Sequence, residues 1–184
     1  MPEENMKYDE KELTEQLSHP ETQRKAFGML VSQYSETLYW KIRRIVLTHD
    51  DANDVLQNAF LKAWSNLDDF QNKSKISTWL YRIAINEALD FVRREKNKLS
   101  ADADISLANR LMADEYFDGD EAQALLQEAI AQLPDVQRTV FTLRYYDDMK
   151  YSEISKLLNT SEGALKASYH IAVQKISEFF RKHD

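Results

Sequence analysis

The sequence predicts an all-α protein built as two small helical domains joined by a flexible acidic linker. Three observations carry this expectation. Apolar residues recur at helical spacing over most of the chain. Glycine and proline occur only three times each in 184 residues, too few breakers for the tight turns of an all-β fold. Between two periodic halves lies an Ala- and Asp-rich stretch where acid is concentrated: residues 98–129 hold two Lys/Arg against eight Asp/Glu. The length suits one medium domain or two small ones, and 43% hydrophobic residues suffice for buried cores.

The elements follow in order. Residues 1–22 form an N-terminal extension, polar and acidic over Met1–Asp9, with no apolar signal core. Gln23 to Leu47 reads as one helix, with Phe27, Leu30, Val31, Tyr34, Leu38, Ile42 and Ile45 at helical spacing. His49-Asp50-Asp51 interrupts it, and Asp50 is the expected cap of a second helix running to about Trp64. Asn66 to Ser77 is polar and aperiodic; a third helix follows from about Thr78 to Arg94, with Trp79, Leu80, Ile83, Ala84 and Ala88 on its apolar face. Residues 23–96 thus make one domain. Residues 97–121 read as the linker, with at most one weak turn around Leu107 to Met112. Residues 122–184 make the second domain: Leu125, Ile130 and Leu133 lead to Pro134, which can open a helix carrying Val136, Val140, Phe141, Leu143 and Tyr145, and two short helices follow.

Those last two helices have the spacing of a helix-turn-helix. Tyr151, Ile154, Leu157 and Leu158 make one amphipathic helix. Asn159 stands where the turn needs a left-handed residue, a conformation asparagine tolerates. Thr160 or Ser161 can cap the next helix, and Glu162 suits its first turn. In that helix Leu165, Tyr169, Ala172 and Ile176 face inward, leaving Gly163, Lys166, Ala167, His170 and Gln174 on the opposite stripe. Short side chains at its start permit close approach to a major groove. Lys166 can reach phosphates or guanine acceptors, and Ala167 and Ile171 can touch thymine methyls.

Charge bounds the function. The net charge of −7 argues against a chain that grips nucleic acid by itself. Yet residues 40–97 hold ten basic against eight acidic side chains, and residues 130–184 eight against seven. Two near-neutral lobes suit a protein that binds DNA as part of a larger basic machine. No cysteine is present, so disulfides and thiolate metal sites are excluded. No apolar run reaches the roughly 18 residues that cross a bilayer, so a soluble, cytoplasmic protein is expected. His49-Asp50 invites comparison with helical metal phosphohydrolases, but the four histidines, His19, His49, His170 and His183, do not supply a converging ligand set. With neither a Ser/His/Asp constellation nor a glycine-rich phosphate loop, no enzyme, metal or cofactor is expected.

Two long strings carry a resemblance. Residues 49–64 read H-D-D-A-N-D-V-L-Q-N-A-F-L-K-A-W, and residues 78–94 read T-W-L-Y-R-I-A-I-N-E-A-L-D-F-V-R-R. Both resemble region two of the extracytoplasmic-function (ECF) sigma factors of the sigma-70 family. Leu133-Pro134 and the helix-turn-helix resemble their region four. The resemblance covers about residues 24–180 and implies an alternative sigma factor that binds core RNA polymerase and directs promoter-specific initiation.

It also implies roles for particular residues. Asp51, Asp54, Gln57, Phe60, Leu61 and Trp64 match the motif that grips the clamp of the polymerase's largest subunit. An acidic, apolar helix face suits a basic, partly apolar partner. The family usually carries acids where this chain has Asn53 and Asn58. The stretch Asp69 to Ser77 and the following helix correspond to the part that captures the melted proximal promoter element. There Phe70 offers a stacking face, Asn72 and Asn86 offer amide edges, and Lys73, Lys75, Arg82, Arg93 and Arg94 offer phosphate contacts. Arg144, Lys166, Ala167, His170 and Ile171 correspond to the reader of the distal element in duplex DNA. The family often has arginines where this chain has Ser168, Ile171 and Val173, which implies a different promoter sequence or weaker phosphate anchoring. An anti-sigma factor is the further partner implied. The rival reading is a stand-alone helix-turn-helix regulator with an N-terminal helical dimerising or sensing domain.

Overall fold

The computed structural model describes residues 7–95 and 119–183. Among the described residues every regular element is helical, as the periodicity predicts. The N-terminal lobe comprises α1 (Glu10–Leu17), α2 (Pro20–Val46), α3 (His49–Ser65), a 3₁₀ turn (Leu67–Asp69) and α4 (Ile76–Glu95). The C-terminal lobe comprises α5 (Glu121–Ala131), α6 (Asp135–Tyr145), α7 (Tyr151–Leu158) and α8 (Glu162–His183).

Several boundaries depart from expectation, each for a local reason. The N-terminal extension contains a helix: α1 is capped by Asp9 and buries Leu13 and Leu17 against α2. Only two apolar residues in a run of Glu, Lys and Gln mark it, too few to stand out as periodicity. Helix α2 starts earlier, with Pro20 in its first turn, where the missing N–H costs nothing. It ends with Leu47 in the left-handed region at φ 76°. The cap of α3 is Thr48, not Asp50. The Thr48 hydroxyl accepts the Asp51 N–H at 3.2 Å, and Asp50 falls in the first turn, where its charge favours the helix dipole. Helix α4 begins two residues early because Ile76, 1% exposed, belongs to the core.

In the second lobe Pro134 occupies the position before α6 rather than its first turn. The closing helix is long, not short: α8 runs 22 residues because Ile176 and Phe179 continue its inward stripe. Asn159 adopts the left-handed conformation expected of it, at φ 51° and ψ 48°. Ser161 caps the second helix by accepting the Ala164 N–H at 3.2 Å. The weak turn expected at Leu107 to Met112 lies outside the described residues.

The core of the first lobe is built from Leu13, Leu30, Leu38, Ile42, Leu80 and Ile85, all at most 2% exposed. Each such side chain contributes about 1.5–3 kcal/mol of burial. The second lobe has its own cluster of Ile130, Leu133, Phe141, Ala172, Ile176 and Phe179. Arg138, also buried, braces it by donating to the carbonyls of Ala131 (3.2 Å) and Leu133 (3.3 Å) and to Asp135 (3.1 Å). These bonds close the end of α5, whose last carbonyls have no helical partner.

The two lobes meet. Val140, Leu143, Ile154 and Leu165 join the buried cluster of the first lobe, and α2 packs against α6. Polar contacts flank this apolar seam. Lys41 lies 2.9 Å and Arg44 3.7 Å from the Asp147 carboxylate, and the Arg44 guanidinium stacks 4.3 Å over the Tyr146 ring.

Candidate nucleic-acid and protein interface

Helix α3 divides cleanly by side. Ala52, Val55, Ala59 and Ala63 face the core, and Asp54, Gln57, Leu61 and Trp64 are exposed on the other side. Leu61 is 59% exposed and Trp64 41%, and their i,i+3 spacing puts the two apolar side chains side by side on the helix. Phe27 of α2 steadies this patch, with its ring centroid 5.0 Å from Trp64 and 6.4 Å from the half-buried Phe60. Asp51 is held apart from the stripe's free acids, because it accepts a 2.6 Å hydrogen bond from the Thr48 hydroxyl within the helix cap.

His49 opens α3 with both ring nitrogens engaged. Nδ1 lies 2.7 Å from the Tyr39 hydroxyl and Nε2 lies 2.9 Å from the Asn53 amide nitrogen. An amide at position 53 thus has a local partner, which gives a physical context for the departure from the acid usual there. Among the described residues no group of His, Asp and Glu has metal-binding geometry.

The polar stretch before α4 is an ordered loop. Its Phe70 ring is half-buried against the core and tilted on Trp79, with centroids 5.2 Å apart. Asn72 sits in the left-handed region at φ 56°. Lys73 and Lys75 are exposed. On α4 itself Arg82, Asn86 and Arg93 project on the exposed side, in line with Trp79, and Arg94 is exposed beside them. Asp90 pairs with Arg93 at 3.2 Å, the i,i+3 contact its spacing suggests. Tyr81 does not join this stripe. It turns inward, 6.2 Å from Tyr34 and beneath the Lys41 ammonium at 4.8 Å, and burial pushes its phenol pKa up.

On α8 the expected stripe is exposed: Gly163, Lys166, Ala167, His170, Ile171 and Gln174 face out, and Leu165, Ala172 and Ile176 face in. Val173, 38% exposed, widens the apolar part of this surface. A Cβ at Gly163 would meet open space, so nothing beside the helix blocks approach there. Arg144 is only partly free. It donates to Asp148 (3.1 Å) and to the Met149 carbonyl (3.2 Å), holding the turn into α7. The Arg144 guanidinium and the Lys166 ammonium lie 5.3 and 5.7 Å from the Tyr151 ring, forming a small basic edge beside the recognition stripe.

Comparison with known proteins gives these surfaces a family. Residues 30–98 match the family model of Sigma-70 region 2, and residues 123–176 match that of Sigma-70 region 4. The chain is 33% identical over 156 residues to the ECF RNA polymerase sigma factor SigW of Bacillus subtilis, covering 79% of this chain and 83% of that one. The chain belongs to the ECF sigma factors. It is also 32% identical over 159 residues to the ECF RNA polymerase sigma-E factor of Escherichia coli, covering 78% of this chain and 80% of that one. Its fold resembles that of CnrH in complex with the cytosolic domain of CnrY, at a TM-score of 0.70 and 24% identity over 95% of this chain and 99% of that one. It also resembles the sigma factor RpoE of Bartonella quintana in complex with the anti-sigma factor NepR, at 0.66 and 20% over 85% and 98%. As an ECF sigma factor the chain directs core RNA polymerase to promoters and is an initiation factor, not a stand-alone helix-turn-helix regulator. Among the described residues no helix is long and apolar enough to cross a membrane.

Proposed function

We propose that this sigma factor divides its work among three exposed stripes on two lobes, the first running from α1 to α4 and the second from α5 to α8, tethered by the acidic segment between them. Helix α3 docks on the polymerase clamp through Asp54, Gln57, Phe60, Leu61 and Trp64, with Phe27 bracing both Phe60 and Trp64 and Asp51 contributing through the helix cap. The carrying observation is that Leu61 and Trp64 stand exposed while the apolar Ala52, Val55, Ala59 and Ala63 of the same helix are buried. Burial of such aromatic and aliphatic anchors is the usual source of binding energy at an interface.

The loop through Phe70, Asn72, Lys73 and Lys75, with Arg82, Asn86, Arg93 and Arg94 on α4, captures the separated non-template strand. Amide edges hydrogen-bond an unpaired base, and the cations hold its backbone. Phe70, half-buried and tilted against Trp79, offers the exposed part of its ring to a base. Helix α8 reads the distal element in the major groove through Lys166, Ala167, His170 and Ile171, with Arg144 at the edge. Opening is driven by binding energy, since trapping unpaired bases shifts the duplex equilibrium. The chain itself catalyses nothing, needs no cofactor and works in the cytoplasm. An anti-sigma factor that covers the exposed apolar patch of α3 is its regulatory partner. The similar sigma factor from Bartonella quintana, solved with its anti-sigma factor, supports that reading.

The test mixes the purified protein with promoter DNA, with and without core polymerase. Weak binding alone and an open complex with the core enzyme are expected. Tight specific binding alone, unchanged by core enzyme, would overturn the assignment.

A further inference from the structure

The N-terminal helix reaches the strand-capturing loop through one side chain. Among the described residues, no side chain of the loop before α4 is bonded to the helix's first N–H groups. Lys75, just before it, has no acceptor, and the Ser74 hydroxyl is turned to the Lys75 carbonyl at 3.4 Å. The missing acceptor comes from α1. Glu10 Oε1 lies 3.3 Å from the Ser77 backbone nitrogen, and the same oxygen accepts the Tyr34 hydroxyl at 2.7 Å. A carboxylate at a helix N-terminus also suits the helix dipole.

Glu10 is itself held in place. Leu13 and Leu17 anchor α1 in the core. The Gln33 side chain accepts the Tyr8 N–H at 2.6 Å and donates to the Tyr8 carbonyl at 3.2 Å. Gln23 donates to the Leu17 carbonyl at 3.0 Å, closing the end of α1. Between α1 and the loop runs a groove lined by Asp9, Lys11, Thr14, Asn72, Ser74 and Lys75.

The loop needs such support. Asn72 takes the left-handed backbone that asparagine tolerates, so the loop's path turns there and its placement depends on what fixes its two ends. On its N-terminal side the loop is fixed by Phe70 against Trp79, and on its C-terminal side by Glu10 at Ser77. We propose that Glu10 is a positioning residue: by capping α4 from α1 it presets the Asn72–Lys75 loop for single-stranded promoter DNA. This rests on the reading of that loop and α4 as the strand-capturing surface. Burial alone would raise the Glu10 carboxyl pKa, but the hydrogen bonds from Ser77 and Tyr34 and the charge of Lys75 hold it below the usual range, as a cap used in its ionised form requires.

The test uses the full chain assembled with core polymerase, carrying Glu10→Ala, Glu10→Gln, Lys73→Ala or Asn86→Ala. The probes are a promoter fragment selected by transcription with the wild-type holoenzyme and its labelled single non-template strand. Glu10→Ala should weaken single-strand binding about fivefold, the effect of a lost helix cap, while core affinity and distal-element duplex binding stay within about twofold. Glu10→Gln, which keeps an acceptor oxygen, should recover part of the loss. Amide exchange should quicken at residues 76–79 but not in α2 or α3. If Lys73→Ala and Asn86→Ala weaken strand capture and Glu10→Ala does not, the positioning role is overturned and the surface assignment stands. It is equally overturned if strand capture and core binding fall together in Glu10→Ala, as in a merely unfolded lobe. If none of the four variants alters strand capture, the surface assignment fails and carries the proposal with it.

Discussion

Lys41 of α2 and Asp147, beyond the end of α6, form an ion pair at 2.9 Å with side chains only 10% and 8% exposed. It joins the two lobes. Arg44 shares the same carboxylate oxygen, and burial lowers the Arg44 pKa despite the opposing pull of Asp147 and Tyr146. One acid therefore faces two cations in a place with little water. Removing it leaves like charges facing each other with no compensation, an arrangement that costs about 3–5 kcal/mol in buried pairs. Asp147→Asn is therefore expected to loosen the contact of α2 with α6 while each lobe keeps its own cluster. Small-angle scattering should record a larger radius of gyration than the wild type, with unchanged helix content by circular dichroism. An unchanged radius would mean that Val140 and Leu143 hold the lobes together without the ion pair.

The α3 surface can be tested apart from folding. Leu61 is 59% exposed, so Leu61→Ala removes little from the core. Truncating an interface anchor costs about 1–3 kcal/mol, or roughly 5- to 150-fold in affinity. Leu61→Ala should therefore weaken core-polymerase binding within that range, measured by competition against another sigma factor. Its melting temperature should stay close to the wild type. Trp64→Ala should weaken binding at least as much, with a modest loss of stability because its ring packs on Phe27.

The recognition helix gives a prediction about salt. Lys166 is exposed beside Tyr151 and bonded to no acid among the described residues. If it holds a phosphate, Lys166→Ala should reduce the slope of log affinity against log salt by about one for holoenzyme on duplex distal-element DNA. A guanine contact would instead show as relaxed specificity at one base pair. Gly163→Ala should fold normally, because its Cβ meets nothing, and Gly163→Leu should block close approach to the groove.

The legible parts of the sequence were those where periodicity and capping agree. Helices α2, α3, α4 and α6 announce themselves by apolar spacing, and the turn at Asn159 by its residue type. The polarity of α3 and α8 follows from the same spacing, so their exposed stripes could be placed before any coordinates. Helix α1 could not be found that way. Its two buried leucines are one helical turn apart, and its most consequential side chain, Glu10, resembles any solvent-facing acid. Partners distant in sequence, such as Glu10 with Ser77 or Lys41 with Asp147, leave no local signal. Asp51 and Arg144 were placed at interfaces by motif position, and the structure adds that both also brace their own turns.

Stability and function separate at Arg138. Its side chain is buried and makes three hydrogen bonds, all to residues outside the exposed stripes. Arg138→Ala removes the donor to the Ala131 and Leu133 carbonyls, in the turn that ends α5, and takes away the Asp135 carboxylate's contact with this guanidinium, so about 2–4 kcal/mol of stability should be lost. Thermal or urea unfolding of the second lobe should report that loss, with the first lobe's transition little changed.

The ionised cap at Glu10 predicts a pH dependence with a definite sign. Its folded-state pKa is lowered below the ordinary 4.5 by Ser77, Tyr34 and Lys75 acting against burial. The unfolded chain therefore binds the proton more readily, and the stabilisation is present above about pH 4.5 and fades as pH falls through the folded value. Tyr34, whose pKa is raised by burial and by its bond to Glu10, stays protonated throughout and keeps donating. Glu10→Gln should thus be less stable than the wild type at pH 7, and the gap should narrow steadily below pH 4.5. Urea unfolding of both proteins from pH 7 down to about pH 3 measures this directly. A gap independent of pH would show that the oxygen's geometry, and not its charge, secures the start of α4.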